Sequence, residues 1–203
     1  ILLDQNAYGC SSTVGIRVLD SGLNTSPLVP DQVQVTLHSD SEPGGETVLL
    51  TETDVDNAQF SGTIDLAESD ATHALWVSHG ETVVATYIDA DNGLGQTQVT
   101  VTDTAQVDCV SPVISGVQVS EVGPFHAQIA FMTDEPCRGS IRYGTTCAAL
   151  DWDSSPVGLH TTHLITLSDL SPDHTFHFVV DAWDEAGNDT TSDNNGACFN
   201  LTT

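Results

Sequence analysis

Residues 14–24, Val-Gly-Ile-Arg-Val-Leu-Asp-Ser-Gly-Leu-Asn, contain the pattern that decides the fold. Apolar side chains alternate at Val14, Ile16 and Val18, and the run ends in a cluster of Asp, Ser, Gly and Asn. A period of two is typical of a β-strand with one buried face, and the residues that follow favour a tight turn. The segment therefore predicts a strand that ends in a turn.

The same pattern recurs along the whole chain. No segment keeps a 3.6-residue apolar period long enough for a helix, and the best candidate, residues 146–152, covers about one turn. Further strands are predicted around residues 33–37, 83–87, 99–101, 113–119, 127–131, 141–143, 165–167, 176–180 and 198–201. The sequence thus predicts an all-β protein.

The strand pattern restarts at residues 108–112, Asp-Cys-Val-Ser-Pro. The chain has 203 residues, whereas one immunoglobulin-like sandwich needs about 100. We therefore expect two tandem Ig-like β-sandwiches, one over residues 1–108 and one over residues 109–203.

The charge balance is strongly acidic. Lys and Arg number 3 against 29 Asp and Glu, which gives a formal net charge of −26. Such a chain is repelled by phosphate backbones and anionic lipid, which excludes nucleic-acid and membrane-surface binding by charge neutralisation and favours cations as partners. Because 39% of the residues are hydrophobic and only 16% are charged, we expect a packed core.

The compartment is predicted from the cysteines and from the apolar runs. Five cysteines without a Cys-x-x-Cys pair indicate a disulfide framework, which favours an extracellular location, secreted or at the cell surface. No run of about 18 apolar residues predicts membrane insertion. The chain begins at Ile1 without a basic and apolar leader, so we expect a mature form.

Residues 170–181, Leu-Ser-Pro-Asp-His-Thr-Phe-His-Phe-Val-Val-Asp, resemble the fibronectin type III consensus around strand F. Residues 133–136, 143–145 and 184–188 match the same family, in the variant found in bacterial secreted proteins and before the catalytic domain of purple acid phosphatases. The resemblance covers residues 112–203 and implies a seven-stranded sandwich. Phe131 and Phe176 stand where the family usually has a core tryptophan and the corner tyrosine.

Residues 1–103 resemble the Ig-like repeat of bacterial exoproteins and archaeal surface-layer proteins. The matching stretches are residues 8–10, 18–24, 50–53, 60–64 and 80–91. The first turn of that family is usually Asp-x-Asp-Leu-Asn, whereas Gly22 replaces the second Asp here. This replacement removes one potential metal ligand.

Acidic turns predict calcium sites, because loops after alternate strands share one pole of a sandwich. In the first domain Asp20, Asn24, Asp89, Asp91 and Asn92 should converge. Calcium takes about six to eight oxygen ligands from carboxylates, amides, carbonyls and water. The alternative is that each side chain forms an Asx-turn with its own backbone.

The second domain repeats the arrangement with Asp134, Glu135, Asp184 and Asn188. Because the short linker contains Asp108, we expect an ion at the junction as a further alternative. The turn Asp-x-Ala-Gly-Asn at residues 184–188 also has a structural interpretation, in which Gly187 adopts a positive φ and Asn188 bonds the backbone.

Two disulfides are expected. Cys10 follows the first strand and Cys109 the last, and both positions fall at one pole of a sandwich, so we pair them. The resemblance to the second module implies a bond between Cys147 and Cys198, and Cys137 with Cys147 is the rival pairing. Cys137 would otherwise be a buried thiol or bond another chain.

No catalytic motif is present, neither Gly-x-Ser-x-Gly nor His-Glu-x-x-His nor a phosphate loop, and we interpret the eight histidines as surface residues. We therefore predict a non-enzymatic, calcium-stabilised building block of a surface layer, stalk or filament. It would associate with itself or with other surface proteins. Residues 1–3, Ile-Leu-Leu, would either extend a neighbour's sheet or form the first strand of their own domain.

Two alternatives remain open. The chain could be a pair of accessory modules, spacing or substrate-binding, covalently fused to a larger secreted hydrolase. It could also be a carbohydrate-binding module, which requires an exposed aromatic platform. Trp152, Trp183 and Tyr143 on one face would favour that hypothesis, and burial of two of the three tryptophans would oppose it.

Overall fold

A computed structural model describes residues 1–203. The chain divides into two units, Ile1–Val110 (unit 1) and Ser111–Thr203 (unit 2). Cys109, placed in the second domain by the expected boundary, lies in unit 1 with its partner Cys10. No helix in the structure has the length and hydropathy that crossing a membrane would require.

Unit 1 is a curled sheet of nine strands with one short 3-10 turn, Ser21–Leu23. Its strands are β1 (Leu2–Leu3), β2 (Ala7–Tyr8), β3 (Thr13–Leu19), β4 (Gln32–His38), β5 (Glu46–Glu52), β6 (Gln59–Ala67), β7 (Ala74–Trp76), β8 (Thr82–Asp91) and β9 (Thr97–Val107).

The strands of unit 1 follow the order β1-β3-β6-β5-β4-β8-β9-β2, and β7 pairs with β6. Every pair is antiparallel except β2 with β9 and β6 with β7. Alternate residues point inward, so Val14, Ile16 and Val18 of β3 join Phe60 in one core. Leu2–Leu3 pairs with β3, so the initial apolar residues form a strand of their own unit.

Unit 2 has seven strands. They are β10 (Ile114–Gly123), β11 (His126–Gly144), β12 (Trp152–Asp153), β13 (Val157–Leu167), β14 (Thr175–Trp183), β15 (Asp189–Ser192) and β16 (Phe199–Thr202). The residues predicted as a marginal helix instead form a turn, with a bridge between Thr146 and Ala149, and then β12.

The longest strand, β11, joins the two faces of unit 2. Its first half pairs with β10 and β13, and its second half pairs with β12 and β14. Sequence alternation predicted two separate strands here. The backbone stays extended through residues 133–136, and the ladder to β13 shifts register between Met132 and Cys137, where Pro136 has no amide to donate. Both units are thus Ig-like or fibronectin type III-like β-sandwiches, and the predicted fold class is confirmed.

Candidate metal centre

Four of the five side chains predicted as calcium ligands in unit 1 line one depression. It has a volume of about 530 Å³, and Asp20, Asp89, Asp91 and Asn92 contribute to its walls. The first residue follows β3, and the others lie at the end of β8 and in the turn after it. We call this surface the acidic depression.

Asp20 is fixed from two sides. Its Oδ1 accepts a hydrogen bond from the amide of Gly22 at 2.8 Å, which caps the 3-10 turn. Its Oδ2 accepts one from the hydroxyl of Tyr87 at 2.5 Å. Burial, together with this bond to a carboxylate, raises the pKa of Tyr87 far above its usual value. The carboxylate is therefore held at the rim of the depression by β8.

Asp89, Asp91 and Asn92 form consecutive Asx-turns. Asp89 Oδ1 accepts from the amide of Asp91 at 3.0 Å, and Asp91 Oδ1 accepts from the amide of Gly93 at 3.0 Å. Asn92 Oδ1 accepts from the amide of Leu94 at 3.0 Å. These bonds satisfy the turn that joins β8 to β9 and leave the other carboxylate oxygens available to a ligand.

Asn24 lies apart from this group, beside a different loop. Its Nδ2 donates to Asp56 Oδ1 at 2.9 Å, and its Oδ1 is buried without a hydrogen-bond partner. Asn24 does not line the acidic depression. Asp56 lies in the turn between β5 and β6, and no sequence pattern pointed to it.

The acidic depression is lined by the oxygen ligands of a hard-cation site, but these ligands are too far apart to surround one ion. Carboxylate and amide oxygens are the ligands that Ca²⁺ prefers. Within either unit taken by itself, no three Asp, Glu, His or Cys side chains bring their ligand atoms within 4.8 Å of one another. A bound ion would therefore draw the loops inward or keep several of its waters, and the calcium site stays a prediction.

In unit 2 the turn after β14 is closed on itself. Asp184 is buried, and its two carboxylate oxygens accept from the backbone amide of Asn188 at 2.9 Å and from Asn188 Nδ2 at 2.7 Å. Gly187 has φ +90°, as the structural interpretation of the turn requires. The Asp184 carboxylate thus closes the turn by accepting hydrogen bonds from both the backbone and the side chain of Asn188.

Two of the other predicted ligands, Asp134 and Asp108, accept hydrogen bonds from backbone amides. Asp134 Oδ1 accepts from the amide of Val113 at 2.7 Å and so fixes the entry to β10. Asp108 Oδ1 accepts from the amide of Val110 at 3.1 Å and lies 3.1 Å from His79 Nδ1. The backbone oxygen of Glu135 accepts from Thr133 Oγ1 at 2.8 Å. Metal ligation by Asp108, Asp134 and Glu135 stays a prediction.

The structure contains two disulfides, Cys10 with Cys109 and Cys147 with Cys198, with Cα atoms 5.0 Å and 5.8 Å apart. These are the two pairings that the sequence and the resemblance favoured. Cys137 is a free, buried thiol, so the rival bond to Cys147 is not formed.

A buried polar cluster surrounds Cys137. His163 Nε2 lies 3.3 Å from Thr133 Oγ1 and 3.9 Å from Cys137 Sγ, and its ring stacks on Phe131 at 4.5 Å. The interpretation of all histidines as surface residues was therefore wrong for His163. A signal was available, because His163 is in phase with the buried residues Ile165 and Leu167.

This cluster does not form a catalytic dyad. Burial raises the pKa of the Cys137 thiol and lowers the pKa of His163, so both groups are neutral. A nucleophilic cysteine requires a thiolate and contact with substrate. Cys137 and His163 have neither, since both are almost wholly shielded from solvent.

The predicted aromatic face forms only in part. Trp152 is exposed and packs beside Tyr143, with ring centroids 5.7 Å apart. Trp183 lies at the other end of β14, opposite Arg138, and does not join them. None of the three tryptophans is buried.

Comparisons with known proteins give the following results. No protein-family model matches the chain. No curated protein matches it. The FN1–FN3 domains of chicken CNTN1 align with a TM-score of 0.47 and 14% identity, over 92% of this chain and 64% of that one. This chain therefore spans 64% of the length of that structure.

Two further solved structures are similar. A two-domain fibronectin type III segment of chicken tenascin aligns with a TM-score of 0.35 and 13% identity, over 100% of this chain and 97% of that one. A DUF4785 family protein of Legionella pneumophila aligns with a TM-score of 0.33 and 12% identity, over 98% and 54%. The strand topology of this chain is that of two β-sandwiches.

Proposed function

We propose that this chain is a non-enzymatic extracellular protein with a structural or adhesive role, a calcium-stabilised Ig-like building block of a surface layer, stalk or filament. The observation that carries the proposal is the acidic depression. It gathers three carboxylates and an amide in a chain whose net charge is −26. Their mutual repulsion is relieved when a divalent cation binds between them.

The disulfides support the extracellular location. Cys10 and Cys109 are 99 residues apart, so their bond closes almost the whole of unit 1. Cys147 and Cys198 close a loop with a separation of 51 residues in unit 2. Disulfides of this kind persist in oxidising compartments and are reduced in most cytosols.

A free sheet edge supports association with other copies or with other surface proteins. β13 is 11 residues long and pairs on one side only, with β11. Residues 157–167 contain no Asp, Glu, Lys or Arg, although the chain as a whole has 29 acidic residues. An uncharged edge strand is a site where another strand can add without like-charge repulsion.

The experiment is a thermal melt of the chain in excess chelator and again in millimolar calcium, with particle size followed by light scattering. We expect calcium to raise the melting temperature because it binds the folded state only. We also expect particle size to increase with calcium, as screening lets the free edges meet.

The double variant Asp89→Asn with Asp91→Asn should lose most of the calcium-dependent rise. Asp70→Asn, which changes an exposed carboxylate at another position, is the matched control and should retain it. If calcium changes neither the melting temperature nor the particle size of the unaltered chain, the acidic residues act only in turns and the proposal fails.

A further inference from the structure

Unit 2 contains a small concave pocket with an exposed tryptophan in its wall. Its volume is about 310 Å³, which is near the lower end of the range of about 300–1,000 Å³ for small-molecule sites. The side chains that define it are Tyr143, Trp152, Phe176, Ser168, Asp169 and Ser171. We call it the aromatic pocket.

The aromatic wall is held rigidly. Trp152 pairs in register with Tyr143 through β12 and β11, so the backbone fixes their spacing. Phe176 is buried and contacts both rings edge-on, with centroid distances of 6.4 Å. Trp152 remains 45% exposed. A flat apolar surface is thus available to a ligand without loss of side-chain freedom on binding.

The polar side chains of the aromatic pocket form no hydrogen bond within the protein. The hydroxyls of Tyr8 and Tyr87 in unit 1 each donate to a carboxylate, whereas the hydroxyl of Tyr143 has no such partner. Tyr143 and Asp169 both line the pocket without a hydrogen bond between them, and burial together with the charges of Asp169 and Asp153 raises the pKa of Tyr143. Asp169 itself has φ 58°, a conformation that non-glycine residues rarely adopt.

We infer that the aromatic pocket binds a pyranose sugar ring, with an apolar face of the ring on Trp152 and its hydroxyls bonded to Asp169 and Tyr143. The pocket offers one carboxylate acceptor and three hydroxyls, which both donate and accept. A sugar presents the same mixture, whereas a cation only requires acceptors. Phe176 meets Tyr143 and Trp152 edge-on, and the rings of Tyr143 and Trp152 are tilted by 38° to each other, so the three faces do not enclose the box that holds an ammonium group.

This inference goes beyond the proposed structural role and does not depend on calcium. The ligand could be a free monosaccharide or the end of a polysaccharide, and both present the same ring to the pocket. The size of the pocket limits direct contact to about one ring.

The test uses the indole N–H signals of the full chain in NMR, because its three tryptophans give three separate reporters. The probes are glucose, galactose and N-acetylglucosamine at concentrations up to tens of millimolar, and the chitin tetrasaccharide. We expect at least one probe to shift the signal of Trp152 saturably with a millimolar dissociation constant. The signals of Trp76 and Trp183 should not move. Tighter binding of the tetrasaccharide than of its monosaccharide would identify a polysaccharide source, and equal binding a free sugar.

Two variants locate the site. Trp152→Ala should abolish sugar binding. Because this variant lacks the Trp152 indole, binding is followed by the NMR signal of a ring proton of Tyr143. Asp169→Asn should weaken it at least fivefold while leaving the fold intact, since the carboxylate bonds nothing in the protein. Trp76→Ala, which removes an exposed tryptophan of unit 1, should bind as the unaltered chain does.

Three results would overturn the inference. The first is the absence of a saturable shift with every sugar. The second is a shift with arginine or tetramethylammonium but with none of the sugars, which would mean a cation site. The third is undiminished sugar binding by an Asp169→Asn variant whose Trp76 and Trp183 signals show that it is folded.

Discussion

Unit 1 and unit 2 share an architecture but differ in how their polar side chains are satisfied. In unit 1 the hydroxyls of Tyr8 and Tyr87 donate to Asp4 and Asp20 at 2.5 Å, and each bond joins a strand to a loop. In unit 2 the hydroxyl of Tyr143 faces the aromatic pocket without such a partner. Polar groups that stabilise the fold in one sandwich are therefore free for a ligand in the other.

The two cores also differ in the polar side chains that they contain. Unit 1 encloses an apolar core that includes Phe60, Leu37 and Leu50, and its buried polar side chains, Ser39 and Glu52, bond backbone groups. Unit 2 encloses Thr133, Cys137 and His163 beside Phe131. Because the unit 2 cluster must keep its mutual geometry while His163 stacks on the Phe131 ring, the core of unit 2 should respond more strongly to small changes in shape.

The largest expected effect comes from removing the disulfides. The chain-entropy model gives about 5 kcal/mol for the Cys10–Cys109 loop and about 4 kcal/mol for the shorter Cys147–Cys198 loop. The two double Cys→Ala variants should therefore destabilise in that order, as measured by calorimetry. A larger loss from the unit 2 pair would contradict the view that the bond closing unit 1 is the stronger constraint.

A second comparison uses close-packed glycines. A Cβ at position 139 would lie 2.6 Å from Phe131 Cζ, and one at position 62 would lie 2.7 Å from Leu50 Cδ2. We expect Gly139→Ala to cost about 2 kcal/mol and Gly62→Ala less, because a leucine methyl can rotate away and a stacked ring cannot. Gly158→Ala, where the nearest atom is 3.6 Å away, is the control for unit 2. Urea denaturation gives the three values, and equal losses at positions 139 and 62 would count against a unit 2 core that is more sensitive to small changes in shape.

The tyrosines provide a third comparison, of smaller size. Tyr87→Phe removes the hydrogen bond to Asp20 and should cost about 1 kcal/mol. Tyr143→Phe removes no bond within the protein and should leave the urea midpoint unchanged. If the free energy of unfolding falls by the same amount in both variants, the hydroxyl of Tyr143 has a hydrogen-bond partner within the protein, and the contrast between the units fails.

The smallest effect concerns pH. Burial lowers the pKa of folded His163, so below about pH 6.5 the unfolded chain binds more protons than the folded one. The contribution of neutral His163 to the free energy of unfolding is therefore present above that pH and is lost as the pH falls. His163→Gln should reduce the slope of unfolding free energy against pH in this window by less than about 1.4 kcal/mol per pH unit. An unchanged slope in the His163→Gln variant would refute the assignment of this pH dependence to His163.

Much of this fold follows from the sequence because period-two alternation is a direct consequence of strand geometry. It predicted β3, β4, β8 and β9, and it predicted the turns that place Asp20 and Asp89 at one pole. It could not predict that β11 runs through residues 133–136, because an extended segment with an interrupted ladder has no pattern of its own. Sequence alternation also could not predict the hydrogen bond from Asn24 to Asp56, because side-chain pairing between loops is determined by tertiary contacts.

The aromatic pocket shows a different limit. Trp152 and Tyr143 are separated by a turn of irregular sequence, and the pairing that joins them is only two residues long. Short strands of this kind carry no detectable alternation. The buried position of His163 could have been predicted from its phase with Ile165, whereas alternation alone could not decide that Trp152 meets Tyr143 and that Trp183 does not.

The most direct test of the central claim is calorimetric titration of the full chain with calcium. Our account predicts saturable binding that is lost in the Asp89→Asn, Asp91→Asn variant and retained in Asp70→Asn. An absence of binding, or equal binding by the unaltered chain and the double variant, would contradict it.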